Sequence, residues 1–322
     1  HMTLTQNTTP MAVIGSGYMG GGIAQTLAIA GHPVRLADRD GHAAEEARLR
    51  LTAQARAFEA QGLLPSGSAD LVEQNLSAAD SIEEAVAGAS YITEAAPETL
   101  ELKLAILGRV CAAAPQDAII GTNTSAIPIA NLAEGVTNPG RFLGVHWMNP
   151  APFIPCVELI ATTETAPHTV DAVEALMRRI GKSPIRVADT AGFVANRLQF
   201  ALYKEAARMV EEGVATPQQI DDVVSNSFGF RLALFGPFAI GDMAGLDVFE
   251  SAFKTLEKTY GERFAPPALL SRTVAAGNLG LKSGRGVRDI AEADHQALLA
   301  YRDKAYARLA QLRTDLGKAP GL

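Results

Sequence analysis

His146 and Glu158 stand twelve residues apart in FLGVHWMNPAPFIPCVELI, and Ser125 precedes them in TNTSAI. These types supply a base, a carboxylate to hold it and a hydroxyl. Histidine has an unperturbed pKa of ~6.5, so it accepts and returns a proton near neutrality. A carboxylate beside it fixes which ring nitrogen faces a substrate and stabilises the imidazolium that forms. The pair suits proton abstraction from a hydroxyl group. It equally suits a hydrogen-bonded strand-end histidine and a solvated acid, so the surrounding sequence has to decide.

Both residues sit at or near the ends of apolar runs, 142–145 and 157–160, which read as short strands joined by a Pro-rich loop. If the strands are neighbours in one parallel sheet, a crevice at its edge brings the two side chains together. Upstream, the apolar run 11–14 leads straight into GSGYMGGGIAQTLAIAGHPVRLADRD. The order is strand, glycine loop, helix, turn at 31–33, second strand at 34–37, then Asp38, eighteen residues after Gly20. A bare glycine pattern is weak, but this setting gives each glycine a task. Gly15 permits the tight turn, Gly17 lets the backbone approach a pyrophosphate, and Gly20 lets the helix pack on the strand. Tyr18 and Met19 lie in the same cofactor-facing stretch, where free helix N–H groups hold a diphosphate. Asp38 accepts hydrogen bonds from ribose hydroxyls and repels a 2′-phosphate, which favours NAD; Arg39 pulls the other way, since an arginine binds that phosphate.

Length and composition bound the alternatives. The 322 residues suffice for two domains, and 48% hydrophobic with 20% charged residues places the chain in the soluble globular class. A net charge of −7 argues against nucleic acid, whose phosphates require a basic surface. No apolar run approaches the ~20 residues that span a bilayer. The beginning lacks the pattern of a secretory signal, and His1-Met2 reads as a tag remnant, so a cytoplasmic location is expected. Cys111 and Cys156 form no CxxC or metal-ligand cluster and read as buried thiols; no metal is expected.

Residues 41–76 carry Ala, Glu, Arg and Leu at helical spacing, interrupted by GLLPSG, and read as a helical hairpin inserted in the nucleotide-binding sheet. Strands at 91–93 and 118–121 flank a helix at 100–113, and strand and helix alternate to about residue 187. Beyond Asp189, residues 193–212, 217–227, 247–260 and 290–316 read as helices with no convincing strand. The expected fold is α/β: a Rossmann doubly wound, mostly parallel sheet over residues 1–188, followed by an all-helical C-terminal domain over 189–322 that offers a surface for a homodimer.

GSGYMGGGIA, Asp38, APETLELK, TNTSAIPI, GVHWMNP, CVELI, DTAGFVANR and GNLGLKSGRG coincide in order from about residue 11 to 288. Together they resemble the 3-hydroxyacyl-CoA dehydrogenase family, including its relatives that act on free hydroxy acids. The resemblance implies that His146 takes the hydroxyl proton while C3 of the substrate delivers hydride to the nicotinamide, with Glu158 as its partner. It places Ser125 and Asn196 around the reacting oxygen, where a hydroxyl or amide dipole stabilises charge. It also implies that Glu98, Lys103, Asn149 and, in the late LKSGRG segment, Lys282 lie near the cofactor. From the residues alone, Glu98 and Lys103 read as a surface helix pair, Lys282 as a solvated loop charge and Asn196 as a helix cap.

The chain departs from the CoA-using pattern in one stretch. Residues 57–102 contain no Lys or Arg, while Glu59, Asp70, Glu73, Asp80, Glu83 and Glu84 make them acidic, a poor cradle for the phosphates of coenzyme A. SFGFRLALFGP places Arg231 where acyl-CoA members carry a less charged turn, and it resembles the branch that oxidises free acids such as gulonate or carnitine. Arg231 is there expected to clamp a substrate carboxylate; a structural salt bridge is the competing reading. The expectation is an NAD-dependent oxidation of a C3 secondary alcohol in a small hydroxy acid, with an L-3-hydroxyacyl-CoA thioester as the alternative. The 3-hydroxyisobutyrate and 6-phosphogluconate dehydrogenases share the glycine opening but use a lysine where this chain has Asn196 and Arg197. An NAD-binding protein without turnover, like the crystallins of this branch, is the reading from another class.

Overall fold

Strands buried on both faces read as unbroken apolar runs, and the first one shows why. In β1 (Met11–Ile14) every residue is buried. Met11 and Val13 face one core, while Ala12 and Ile14 face the other, as the two-residue period of a strand requires. The computed structural model describes residues 9–322; residues 1–8, with His1-Met2, lie outside the described residues. The chain divides into two units, one ending at Ala201 and one beginning at Leu202.

The first unit is an eight-stranded sheet. After β1 come β2 (Val34–Ala37), β3 (Leu76–Ala78), β4 (Tyr91–Glu94), β5 (Ile119–Thr122), β6 (Phe142–Trp147), β7 (Cys156–Ile160) and β8 (Ser183–Val187), in the spatial order β3-β2-β1-β4-β5-β6-β7-β8. Helices α1 (Tyr18–Ile29), α2 (Gly41–Ala60), α3 (Ser68–Asn75) and α7 (Pro167–Arg179) contribute to one core with Leu27, Leu51, Val72 and Val173. Helices α4 (Ile82–Val86), α5 (Leu100–Ala113) and α6 (Ile129–Ala133) contribute to the other with Val86, Leu107 and Leu132. Helices α2 and α3 fill the stretch between β2 and β3.

One expectation about this sheet is corrected. The strands carrying His146 and Glu158 are neighbours, but β6 and β7 run antiparallel, with His146 directly opposite Glu158. All other adjacent strands are parallel. The reason is the short connection at 148–155: a parallel return needs a crossover of a dozen residues or more. Two strands escape a reading of the sequence. β3 is three residues long, and β8 is an edge strand whose Pro184 and largely exposed side chains hide its pattern.

The second unit is helical. It contains most of α8 (Ala195–Glu211), then α9 (Pro217–Asn226), α10 (Phe228–Leu232), α11 (Pro237–Ala244), α12 (Leu246–Tyr260), α13 (Ala268–Ala275) and α14 (His295–Leu316). Thr216 and Gln219 form a capping box at the start of α9, with Pro217 at its first turn. Asp242 of α11 is buried and accepts hydrogen bonds from the N–H groups of Val287 and Arg288, tying the late loop to the helices. The helices expected from periodicity are present; α10, α11 and α13, at five to eight residues, are too short to show one. Among the described residues, β pairing in this unit is the single bridge between Gly280 and Arg285.

Candidate active site

A cleft of about 1090 Å³ opens along the ends of β1, β2, β4, β5 and β6, and its lining runs from Gly15 and Asp38 to His146 and Asn196. Its floor lies at the point where chain order reverses: β1 is flanked by β2 on one side and β4 on the other. Crevices at such a switch point are where open α/β sheets bind ligands. Gly15 has φ of 100°, and a Cβ there would meet Ala95 O at 2.5 Å. A Cβ on Gly20 would meet Gly15 O at 1.9 Å, so α1 packs on the strand loop only through glycine. A Cβ on Gly17 would meet nothing within 4 Å. Gly17 is the N-cap of α1 and supplies no capping side chain, so the first N–H groups of that helix remain available to an anion.

Asp38 closes this end. Its Oδ2 accepts from Ser16 N at 2.8 Å and from the Ser16 hydroxyl, and its Oδ1 accepts from Arg39 N at 2.7 Å. Partial burial pushes its pKa up, but the Ser16 hydroxyl, the two N–H groups and the charge of Arg39 outweigh it and leave the carboxyl below its ordinary value. The carboxylate keeps lone pairs free for further donors. Arg50, unnoticed in the sequence, reaches from α2 to donate to Ser16 O at 2.8 Å.

The middle of the cleft rests on a buried ion pair. Lys103 Nζ lies 2.8 Å and 3.1 Å from the two Glu94 oxygens and donates to Ala96 O at 2.9 Å. Glu94 also accepts from Ala96 N and from the Thr122 hydroxyl. Glu98 stands above this pair. Its Oε1 accepts from the Thr124 hydroxyl at 2.5 Å and from the N–H groups of Ser125 and Ala126 at 3.0 Å each, and its Oε2 lies 3.5 Å from Lys103 Nζ. Partial burial raises the Glu98 pKa, yet those three donors and the Lys103 ammonium win and hold it below the ordinary carboxylate range. The backbone bearing Ser125 is thereby fixed by a carboxylate.

At the far end His146 Nδ1 lies 2.9 Å from Glu158 Oε2, and the residues are 5% and 2% exposed. The other oxygen, Glu158 Oε1, accepts from Val194 N at 3.0 Å and Ala195 N at 2.9 Å. Gly192 (φ 76°) and Phe193 (φ 49°) form the turn that aims those two N–H groups. With Nδ1 engaged, Nε2 is the ring nitrogen left for the cleft. Directly after Ala195, in the first turn of α8, Asn196 Nδ2 donates to Ser125 O at 3.2 Å, which brings Ser125, His146 and Asn196 to one end of the cavity. Burial, and then the charge of Glu158, raise the Cys156 thiol above its usual value, so it is a poor nucleophile.

Of the residues singled out from sequence, Gly15, Gly17, Tyr18, Met19, Asp38, Arg39, Glu98, Ser125, His146, Asn149 and Asn196 line the cleft. Glu158 and Gly20 stand immediately behind it. Lys103 does not line it: buried against Glu94, it acts from beneath the floor, and it is no surface pair with Glu98. Lys282 and Arg231 belong to the second unit. Lys282 is paired there with Asp247 at 2.5 Å rather than solvated. Arg231 has no ion pair among the described residues, so the salt-bridge reading finds no partner. Sequence reasoning misses Glu94, Asn123 and Thr122, although a glutamate closing the apolar run YITE is a visible signal. Of the acids that make 57–102 acidic, several are already engaged: Glu59 by Gly67 N and Ala69 N, Glu73 by Arg56, Glu83 by Arg109 and Glu84 by Asp80 N.

These features fit a dinucleotide: an uncapped helix start behind an unobstructed glycine, a carboxylate with spare lone pairs just after β2, and a cleft long enough to end at a histidine. A doubly wound fold with this site is that of an NAD-dependent dehydrogenase acting on CH–OH groups. The model of the 3-hydroxyacyl-CoA dehydrogenase NAD-binding domain matches residues 10–190, and that of the family's C-terminal domain matches residues 192–290. The chain belongs to the 3-hydroxyacyl-CoA dehydrogenase family. It is 37% identical to the 5-formyl-3-hydroxy-2-methylpyridine 4-carboxylate 5-dehydrogenase of Mesorhizobium japonicum, over 86% of this chain and 89% of that protein. It is also 37% identical to a probable 3-hydroxybutyryl-CoA dehydrogenase of Bacillus subtilis, over 87% and 96%. The crystal structure of an NAD⁺-dependent 5-formyl-3-hydroxy-2-methylpyridine 4-carboxylic acid 5-dehydrogenase superposes with a TM-score of 0.72 at 35% identity, covering 97% of this chain and all of that one.

Proposed function

We propose that the chain oxidises, reversibly, a C3 secondary alcohol of a small free hydroxy acid to the 3-oxo product. The observation that carries this reading is the His146–Glu158 pair at 2.9 Å in the same cleft as the glycine loop. His146 Nε2 accepts the hydroxyl proton, and Glu158, held by two N–H groups of the 192–195 turn, fixes the ring and offsets the charge it gains. The Ser125 hydroxyl and Asn196 amide hold the reacting oxygen, so charge developing there meets oriented dipoles. NAD, when bound, supplies the hydride acceptor. Gly15, Gly17, Tyr18, Met19 and Gly20 seat its diphosphate, Asp38 and Arg39 its adenosine ribose, and Glu98 and Asn149 border its nicotinamide half, with Lys103 supporting Glu98.

Two relatives of equal identity are named for a free pyridine carboxylate and for a CoA thioester, so identity alone does not choose the substrate. The acidic hairpin and Arg231 favour the carboxylate, which Arg231 would bind through both guanidinium edges. A panel of free 3-hydroxy acids and CoA thioesters, read by NADH absorbance, separates the two. Turnover of thioesters at micromolar concentration with none of the free acids would sink the carboxylate reading.

A homodimer through the helical domain is part of this reading, and the surfaces of its helices support it. Helices α8, α9 and α10 hold no buried residue, and apolar side chains such as Tyr203, Val223 and Leu232 stand exposed. Apolar area left open on this scale marks an interaction surface. Sedimentation at micromolar concentration checks it. A reducing compartment, the cytoplasm, agrees with two cysteines that are both free thiols.

A further inference from the structure

A buried ammonium is costly unless hydrogen bonds replace its water, and Lys182 obtains all of its hydrogen bonds from main-chain oxygens. It lies in the turn between α7 and β8 and is 7% exposed. Its Nζ donates to Ala151 O at 2.5 Å and Ile154 O at 2.9 Å, with Pro152 O at 3.4 Å. No acid pairs with it among the described residues. Nζ also stands 5.3 Å from the ring centroid of Trp147, the last residue of β6, a separation at which a cation is attracted to the face of an indole. Burial holds its pKa below the usual lysine value.

All three carbonyls belong to one segment, the 148–155 connection between His146 and Glu158. That segment touches the cofactor cleft in two ways. Met148 and Asn149, at its head, line the cleft. Ala151 and Pro152, in its middle, rest on α1, where a Cβ on Gly22 would approach them at 3.2 Å and 3.1 Å. Eight residues without a strand or helix of their own need something to fix their course. Ser183 N secures the far end by donating to Pro155 O at 2.8 Å, and the Lys182 ammonium secures the middle.

We propose that Lys182 is a positioning residue for the cofactor: its ammonium gathers the carbonyls of the β6–β7 connection and thereby fixes Asn149 and Met148 against the nicotinamide half of the cleft. Lys182 touches neither cofactor nor substrate in this role and acts through the segment it clamps. The inference rests on the proposed place of Asn149 at the cofactor.

The test uses the full-length protein and compares Lys182→Met, Lys182→Arg and Asn149→Ala. Lys182→Met keeps the apolar stem and removes the donors, so a folded variant should bind NADH about tenfold more weakly, the loss of one charged hydrogen-bonding group. The KM for NAD should rise in step while kcat at saturating NAD stays within about threefold, since His146 and Glu158 are held by other contacts. Lys182→Arg, which can donate to the same oxygens, should recover most of the affinity. Trp147 is the only tryptophan, so a change in its emission reports the loss of the cation. A folded Lys182→Met with unchanged NADH affinity and KM overturns the proposal, as does an equal fall in kcat and affinity that Arg does not rescue. Should Lys182→Met not fold, Lys182→Gln decides by the same readings, and failure of both to fold assigns the clamp to stability alone and overturns it too. Weakened binding in Asn149→Ala with none in Lys182→Met discards the clamp but keeps the site. Unchanged binding in Asn149→Ala discards the site assignment on which the clamp rests.

Discussion

Lys103 and Glu94 form an ion pair at 2.8 Å in which the side chains are 1% and 0% exposed. The pair lies under the loop that carries Glu98, and each member has further partners, Ala96 on one side and Thr122 on the other. Removing one member leaves the other charged and dry, which costs about 3–5 kcal/mol. Lys103→Met should therefore lower the urea midpoint sharply, and adding Glu94→Gln should recover part of the loss. Equal stability of Lys103→Met and the parent chain would mean that the cleft floor does not depend on this pair.

His146→Gln should lower kcat about 100- to 10,000-fold, the usual worth of a general base. NADH affinity should change little, because the residues proposed to seat the diphosphate and the adenosine ribose, Gly15 to Gly20 with Asp38, lie at the other end of the cleft. Glu158→Gln should also lower kcat, by loss of the oriented imidazole rather than of the proton acceptor itself. Stopped-flow NADH formation with a fluorescence titration alongside measures both effects. A His146→Gln enzyme that keeps most of its turnover contradicts the proton-transfer assignment.

Gly17 and Gly20 should respond differently to alanine. The Cβ of Gly20→Ala would fall 1.9 Å from a backbone oxygen, so α1 must shift and the thermal midpoint should drop by the equivalent of about 1–3 kcal/mol or more. Gly17→Ala meets open space and should fold as well as the parent chain. Its methyl instead occupies room proposed for the diphosphate, so NADH affinity alone should fall.

Glu98 makes a prediction about acid. Its folded pKa lies below the ordinary carboxylate value, the sum of burial, which raises it, and of Thr124, Ala126, Lys103 and Ser125, which lower it further. A depressed carboxylate contributes stability that is fully present above its unfolded pKa of ~4.3 and is lost as pH falls through the folded value. Glu98→Gln should therefore lose a constant amount of stability at neutral pH, and the difference from the parent should shrink below pH ~4. Chemical denaturation from pH 3 to 7 measures it; a difference that grows toward acid pH has the wrong sign.

The sequence reveals the strand, glycine loop, helix, strand and acid because each of those is a local signal. It also reveals the helical character of the second unit, where α8, α12 and α14 are long enough to repeat. Strand direction has no such signature: periodicity is the same forwards and backwards, and so the reversal at β7 stays hidden. Lys103 misleads for a related reason. A lysine on a helix looks solvated until its partner, nine residues away across a loop, is placed beside it. Glu94, Thr122 and Asn123 act through contacts between strand ends, and only the sheet order brings those together.

The segment from Thr122 to Ala130 is anchored at nearly every step by distant parts of the chain. Glu94 holds Thr122, Glu98 holds 124–126, Asp189 accepts from Ile129 N and Ala130 N, and Asn196 binds Ser125 O. Ordering such a stretch at the moment of binding would cost about 1–2 kcal/mol for each residue fixed. In this chain that entropy is lost during folding, so a ligand meets a rigid rim. Affinity at this end of the cleft should then be governed by shape and charge, with a small heat-capacity signature beyond the surface the ligand itself covers.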